Sequence, residues 1–258
     1  MFQGGASLAF YEMAGVSRTD RRSSHRMRAP VLSITVVLAS VVLSAQVPVN
    51  NEPHHRTVYE NADFRILDVR VAPGESTADH RHDHDIATVS MNAGTPTRIT
   101  TNGQAQNRPP RPLADATITE YTGKAGSHKL DNTGNAPYQL FAVENLRDQK
   151  AWSPAPAVSA LATTLATDGR ALRIYDVRLA TPTSQTTHTH AVPTVAVLIN
   201  GIVMSEGPDA QAKALAPAPV GLKRLDAPGQ WVLVPRGETH TVVRLGNVDA
   251  RLLEIEVR

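Results

Sequence analysis

FRILDVRVA, residues Phe64–Ala72, returns 108 residues later as LRIYDVRLA, Leu172–Ala180, identical at six of nine positions. Carrying that offset forward without a gap sets His80 on His188 and His82 on His190. Further on, GNAPYQLFAVE (Gly134–Glu144) faces GNVDARLLEIE (Gly246–Glu256) at an offset of 112, which sets His128 on His240. The change in offset is an insertion between the matched blocks, where loop length varies at little cost. The chain is therefore written twice, and each copy reads as one structural unit.

Within each copy the apolar runs are short: RILDVRV, ATVSM, TVAVLI, WVLVP and RLLEIEV, bounded by Gly, Pro and Asn. That pattern predicts antiparallel strands in a sandwich or barrel. The 18 prolines and 16 glycines agree with an all-β chain of many turns. The domains are expected at residues 55–147 and 170–258. Between them, residues 148–169 read as an Ala-, Pro- and Thr-rich linker with room for a short helix. Each half carries a Pro-rich extended loop, QNRPPRPLA (Gln106–Ala114) and PDAQAKALAPAPV (Pro208–Val220). The halves are expected to fold independently unless they share a strand or a large interface.

Residues 1–45 stand apart. MRAPVLSITVVLASVVLSAQ (Met27–Gln46) has a basic start, an apolar stretch and a small residue, Ala45, ahead of polar sequence, the pattern of an export signal. Its apolar segment, Val31–Ser44, is too short for the roughly 20 residues that a spanning helix needs. Cleavage near Ala45 is expected, with translation starting at Met1 or Met27, and a periplasmic or secreted destination is expected with it. This N-terminal extension holds five Arg and two acidic residues of the chain's 26 basic and 24 acidic ones, so the remainder is near neutral. Nothing in the charge balance favours nucleic acid or an anionic membrane after cleavage. With no cysteine, an exported chain must rely on packing, metal or both.

Seven of the ten histidines fall inside the two copies; His25 precedes the signal, and His54 and His55 follow it in a polar segment. Alternate positions on a strand share a face, so His80 with His82, and His188 with His190, each present two imidazoles side by side. A third from a neighbouring strand, His128 or His240, would complete a three-histidine metal site with open positions. His84 shares the spacing of His80 and His82, but its counterpart is Val192, and flanking Asp83 and Asp85 favour a solvated turn. Arg65 and Arg173 are expected on an outer strand face, and Trp152 and Trp231 in packing roles.

GESTADHRH (Gly74–His82) has the form G-x5-H-x-H, and the first twelve residues of GQWVLVPRGETHTVVRLGN (Gly229–Asn247) have the form G-x5-P-x-G-x2-H. These strings resemble the paired signature motifs of the cupin superfamily, over about 90 residues twice. The resemblance implies two tandem cupin-type jelly-roll β-barrels, a bicupin, each with a divalent metal (Fe, Mn, Zn, Ni or Cu) held by the histidines of both motifs. The departures matter. The glutamate that usually follows the second histidine is absent, with Ile86 and Ala87 in the first copy and Thr194 and Val195 in the second. Pro182 replaces a motif glycine, and Arg244 stands where the second motif often ends in Asn. TGKAGSH (Thr122–His128) lacks the P-x-G turn, although Asn132 follows His128 by four.

The sequence thus predicts metal at His188, His190 and His240, with His80, His82 and His128 as a second, looser and partly degraded site. Two functions remain open: an enzyme resembling three-histidine Fe(II) dioxygenases, and a non-catalytic cupin that binds a carbohydrate or organic acid. The expected partner is a small-molecule ligand or substrate; a homodimer is one assembly left open.

Overall fold

The computed structural model describes residues 46–181, 183–206 and 222–258. The N-terminal extension with its signal, Pro182 and the Pro-rich segment Pro208–Val220 lie outside the described residues. The first copy forms β1 (Val47–Pro48), β2 (His55–Glu60), β3 (Phe64–Val71), β4 (His80–His82), β5 (Ile86–Ser90), β6 (Thr97–Thr101), β7 (Gln104–Arg108), β8 (Ala116–Thr119), β9 (Gly126–Asn132) and β10 (Tyr138–Asn145). The second forms β11 (Thr163–Asp168), β12 (Leu172–Leu179), β13 (Gln185–Thr189), β14 (Thr194–Asn200), β15 (Val203–Glu206), β16 (Leu222–Leu225), β17 (Trp231–Val234), β18 (Thr239–Arg244) and β19 (Ala250–Val257).

The first copy pairs its strands in the orders β1-β4-β9-β6-β7 and β2-β3-β10-β5-β8; the second uses β13-β18-β15-β16 and β11-β12-β19-β14-β17. Adding nine to each strand number from β2 onward turns one copy into the other. Even the bulges repeat: β2 slips between Thr57 and Tyr59, and β11 between Leu165 and Thr167, at the repeat offset. The fold is two tandem cupin-type jelly-roll barrels.

Two boundaries differ from the sequence reading. Val47–Glu52 lie ahead of residue 55 yet join the first barrel, because β1 pairs in parallel with the histidine strand β4 and Val49 packs in that barrel's core. Strand β11 falls within the stretch read as linker, whose one helical piece among the described residues is a 3-10 turn at Gln149–Ala151.

The strands of the repeated motif look only loosely alternating because both of their faces are buried. On β3, Leu67, Val69 and Val71 point into the first barrel while Phe64 and Ile66 point out. On β12, Val177 and Leu179 point into the second barrel while Leu172 and Ile174 point out. The outward sets meet in one apolar layer with Val89, Phe141, Val143, Val197, Trp231 and Ile255, so a third core lies between the barrels. Trp231 is buried in this layer and Trp152 packs against it, in the packing roles expected of them. Arg170 and Asp85 add a paired ion bridge from second copy to first, at 3.0 and 3.1 Å.

This layer decides the question of independent folding. A fragment of residues 168–258 would expose Leu172, Ile174, Val197, Trp231 and Ile255, each worth about 1.5–3 kcal/mol when buried, a sum comparable to the ~5–15 kcal/mol stability of a whole domain. The fragment is therefore expected to aggregate or to melt without cooperativity, as read by sedimentation and circular dichroism. A monomeric, sharply melting fragment would show that the layer is dispensable.

Candidate metal centres

In both barrels the two-residue period of a strand and the cross-strand register place the histidines. His80 and His82 alternate on β4 and face inward; His80 lies opposite His128 of β9. His188 on β13 and His190, one residue past its end, do the same, with His188 opposite His240 of β18. The ligand atoms of His80, His82 and His128 lie within 4.8 Å of one another, and so do those of His188, His190 and His240 together with Glu254. All six histidines singled out by the repeat are thus gathered in two groups of three.

The second barrel holds a carboxylate that the sequence reading missed. Glu254 is fully buried on β19, and its Oε2 lies 2.7 Å from His188 Nε2 and 3.3 Å from His190 Nε2. Its Oε1 lies 3.4 Å from His240 Nε2. A carboxylate from the last strand therefore stands with the three expected histidines, in a barrel whose first motif lacks the glutamate. Behind it, His190 Nδ1 pairs with Glu256 Oε1 at 3.0 Å, and Arg173 holds Glu256 Oε2 at 3.3 Å. Arg173 is buried inside the barrel, and Arg65 makes the matching 2.8 Å bond to buried Glu144, so neither takes the expected outer-face position. The turn leading to His240 has Gly237 at φ 78°, closes with Glu238 N–H on Pro235 O, and donates its own Gly237 N–H to His190 O at 2.8 Å. A positive φ at that turn position selects glycine.

The first barrel differs at one decisive position. Register and repeat put Ala142 where Glu254 stands, and the space is part of a cavity of about 730 Å³ that reaches His80, His82 and His128. His80 Nδ1 bonds Ala78 O at 3.0 Å, which leaves Nε2 buried without a partner; both ring nitrogens of His82 are also unpartnered. Unsatisfied buried imidazole nitrogens aimed at one point suit a metal ligand set. Gly126, in the stretch that lacks the P-x-G turn, makes room for an aromatic ring. A Cβ there would meet the Tyr121 ring at 2.7 Å, and that ring stacks on His82 at 4.9 Å, so the glycine admits a ring that fixes the ligand.

His55, left aside in the sequence reading, is buried beside His80 with ring centroids 4.5 Å apart. Its Nδ1 bonds buried Glu52, which also accepts from the Ala78 N–H two residues before His80. Burial alone would raise the Glu52 carboxyl, but the bonds from His55, His54 and Ala78 bring it down to about 2. A signal for the pair was present in E-x-x-H just before the first repeat. His84 is half-buried in the β4–β5 turn and belongs to neither group of ligands.

The two barrels also differ in proton content. Burial, reinforced by neighbouring imidazoles, lowers His80 and His128 to about 4 and His82 to about 2. These rings are neutral and ready to ligate at pH 7. His240 is likewise lowered to about 4, chiefly by burial. His190 goes the other way: burial opposes charge, but Glu254 and Glu256 outweigh it and raise the ring to about 9. Lowered histidines leave the unfolded chain binding more protons below pH 6.5, so the metal-free protein should lose stability as pH falls from about 6.5 toward 4. The contribution of His190 is full below 6.5 and fades as pH rises through 9. Each group costs about 1.4 kcal/mol per pH unit across its window. Urea midpoints of metal-free protein should therefore peak near pH 6.5; a midpoint that keeps rising down to pH 5 would contradict these burials.

No protein-family profile and no curated protein matches this sequence. Among solved structures, the chain is similar to AerE from Microcystis aeruginosa, at 13% identity and TM-score 0.53, over 80% of this chain and 98% of that one. It is also similar to salicylate 1,2-dioxygenase from Pseudaminobacter salicylatoxidans, at 12% identity and TM-score 0.53, over 77% and 72%. A structure of the latter carries a gentisate adduct and matches with the same identity and TM-score. At these identities the likeness is one of fold, and the fold is the cupin jelly roll taken twice.

Proposed function

We propose that this chain is a metal-dependent enzyme of dioxygenase type that acts on a small organic acid or phenol in its first barrel, while the second barrel holds a closed, structural metal site. The observation that carries the reading is the first barrel's geometry: three neutral imidazoles at the wall of a 730 Å³ cavity, with alanine where the other barrel has its carboxylate. Catalytic metal sites keep positions open, and structural ones fill them with protein donors. A divalent metal on His80, His82 and His128, Fe(II) for dioxygen chemistry, would supply open positions for substrate and dioxygen.

The chain's own residues do the rest. Ile86, Ile99, Leu140 and Ala142 give an apolar lining that excludes water from around a ring-sized ligand. Arg111 is held by Asp115 at 2.7 Å, whereas Arg108 at the cavity rim donates to Gln106 and is available to an acidic group. Glu52 holds His55 through its Nδ1, and His55 lines the cavity. This supplies the candidate base that the sequence reading could not name. Likeness to the salicylate dioxygenase, solved with gentisate, supports an aromatic acid as the first substrate to try.

Protein loaded with Fe(II) is expected to consume oxygen when given gentisate or catechol, and His128→Ala to abolish the uptake. Saturable ligand binding without oxygen uptake would replace the enzyme with a binding protein. Export belongs to the same proposal: mass spectrometry should find a mature N-terminus near Gln46, and a product beginning at Met1 would overturn it.

A further inference from the structure

The interior of the second barrel carries a row of polar groups that its histidine–glutamate cluster does not use. Thr186 on β13 lies opposite Val242 on β18, Val242 opposite Ser205 on β15, and Ser205 opposite Lys223 on β16. Strand parity turns all four inward, since Val203, Leu225 and Val242 of the same faces form the barrel's apolar core. Thr186 is 2% exposed, Ser205 0% and Lys223 1%. Yet Thr186 Oγ1, Ser205 Oγ and Lys223 Nζ have no hydrogen-bond partner. Arg244, on the same face of β18 one step beyond Val242, is paired instead: Nη1 lies 4.0 Å from Asp249 Oδ1 and Nη2 donates to Thr181 Oγ1 at 3.4 Å.

Each buried hydroxyl or amine left unpaired costs free energy, and an unpaired buried ammonium costs most. Burial lowers the Lys223 ammonium to about 8, which leaves it mainly charged at pH 7. Glu254, the buried carboxylate of the histidine cluster in the same barrel, is committed to His188 and His190. One buried ammonium and two buried hydroxyls beside the apolar core call for an anion that accepts several hydrogen bonds, and the flanking Val203, Val242 and Leu225 favour one with an apolar body.

We propose that the second barrel binds a small organic carboxylate, its oxygens held by Lys223 Nζ and Ser205 Oγ and its apolar end among Val203, Val242 and Leu225. The site is separate from the cavity of the first barrel and does not depend on that barrel's chemistry. Acetate is the probe. Melting temperatures of the full-length, metal-loaded protein are measured against acetate, with chloride holding ionic strength constant. Wild type is expected to show a saturable rise. Lys223→Met, which keeps length and removes charge, is expected to melt higher without acetate and to need at least ten times more acetate for the same rise. Ser205→Ala, a milder change that leaves the core intact, should weaken the acetate response several-fold, and it decides the matter should Lys223→Met fail to fold. No saturable rise in wild type, or an unchanged acetate response in the folded variants, would overturn the proposal.

Discussion

Glu254→Gln is expected to weaken metal binding in the second barrel by about 100-fold or more, and to leave the first barrel's affinity unchanged. Loss of groups that merely support a ligand costs about 10–100-fold, and Glu254 is itself within reach of all three imidazoles, at 2.7, 3.3 and 3.4 Å. The same substitution acts on the metal-free state. Glu254 and Glu256 together hold His190 charged up to about pH 9. Removing one of two buried carboxylates leaves a buried cation half-compensated, which costs about 3 kcal/mol. Chelator competition with metal counted per chain reads the first effect, and urea midpoints at pH 7 read the second. Wild-type metal retention in the variant would mean that Glu254 only neutralises His190.

The converse substitution has an even larger expected effect on activity. Ala142 occupies the position equivalent to Glu254, is 1% exposed and borders the cavity, so a longer side chain has space to enter without overpacking. Ala142→Glu should give the first barrel the four-donor set of the second. Its metal should then survive chelation longer, while oxygen uptake with gentisate falls at least ~100-fold, because a protein oxygen takes a position the reaction needs. Separate movement of the two readouts is the signature: tighter metal and lost turnover. Looser metal with lost turnover would mean that the new carboxylate disrupts the site instead of joining it.

The six histidines were legible because a strand's two-residue period and the repeat offset are both sequence-local facts. Glu254 was not, because its role depends on register across the barrel: β19 pairs with β12 and β14, and nothing in RLLEIEV says which face is inward. A hint existed in the pair Glu254 and Glu256, two acids at alternate positions in an otherwise apolar strand. Their parity with buried Leu252 is a costly arrangement unless something binds them. Arg65 and Arg173 misled for the same reason: arginine usually lies outside, and here Glu144 and Glu256 keep it in. The interbarrel layer was hidden in the repeat itself, since FRILDVRV and LRIYDVRL are apolar on both faces at one end and mixed at the other. The reason for Gly126, the Tyr121 ring over His82, lies in the third dimension and leaves no mark in the sequence.

The central claim is that exogenous molecules reach a metal only in the first barrel. Cobalt(II) substitution tests it directly, since the visible spectrum reports each ion's donors. Wild type should bind two cobalt ions per chain, and azide should alter the spectrum of one of them. That azide response should vanish in His128→Ala and persist in His240→Ala. A response that vanishes in His240→Ala and persists in His128→Ala would contradict the account.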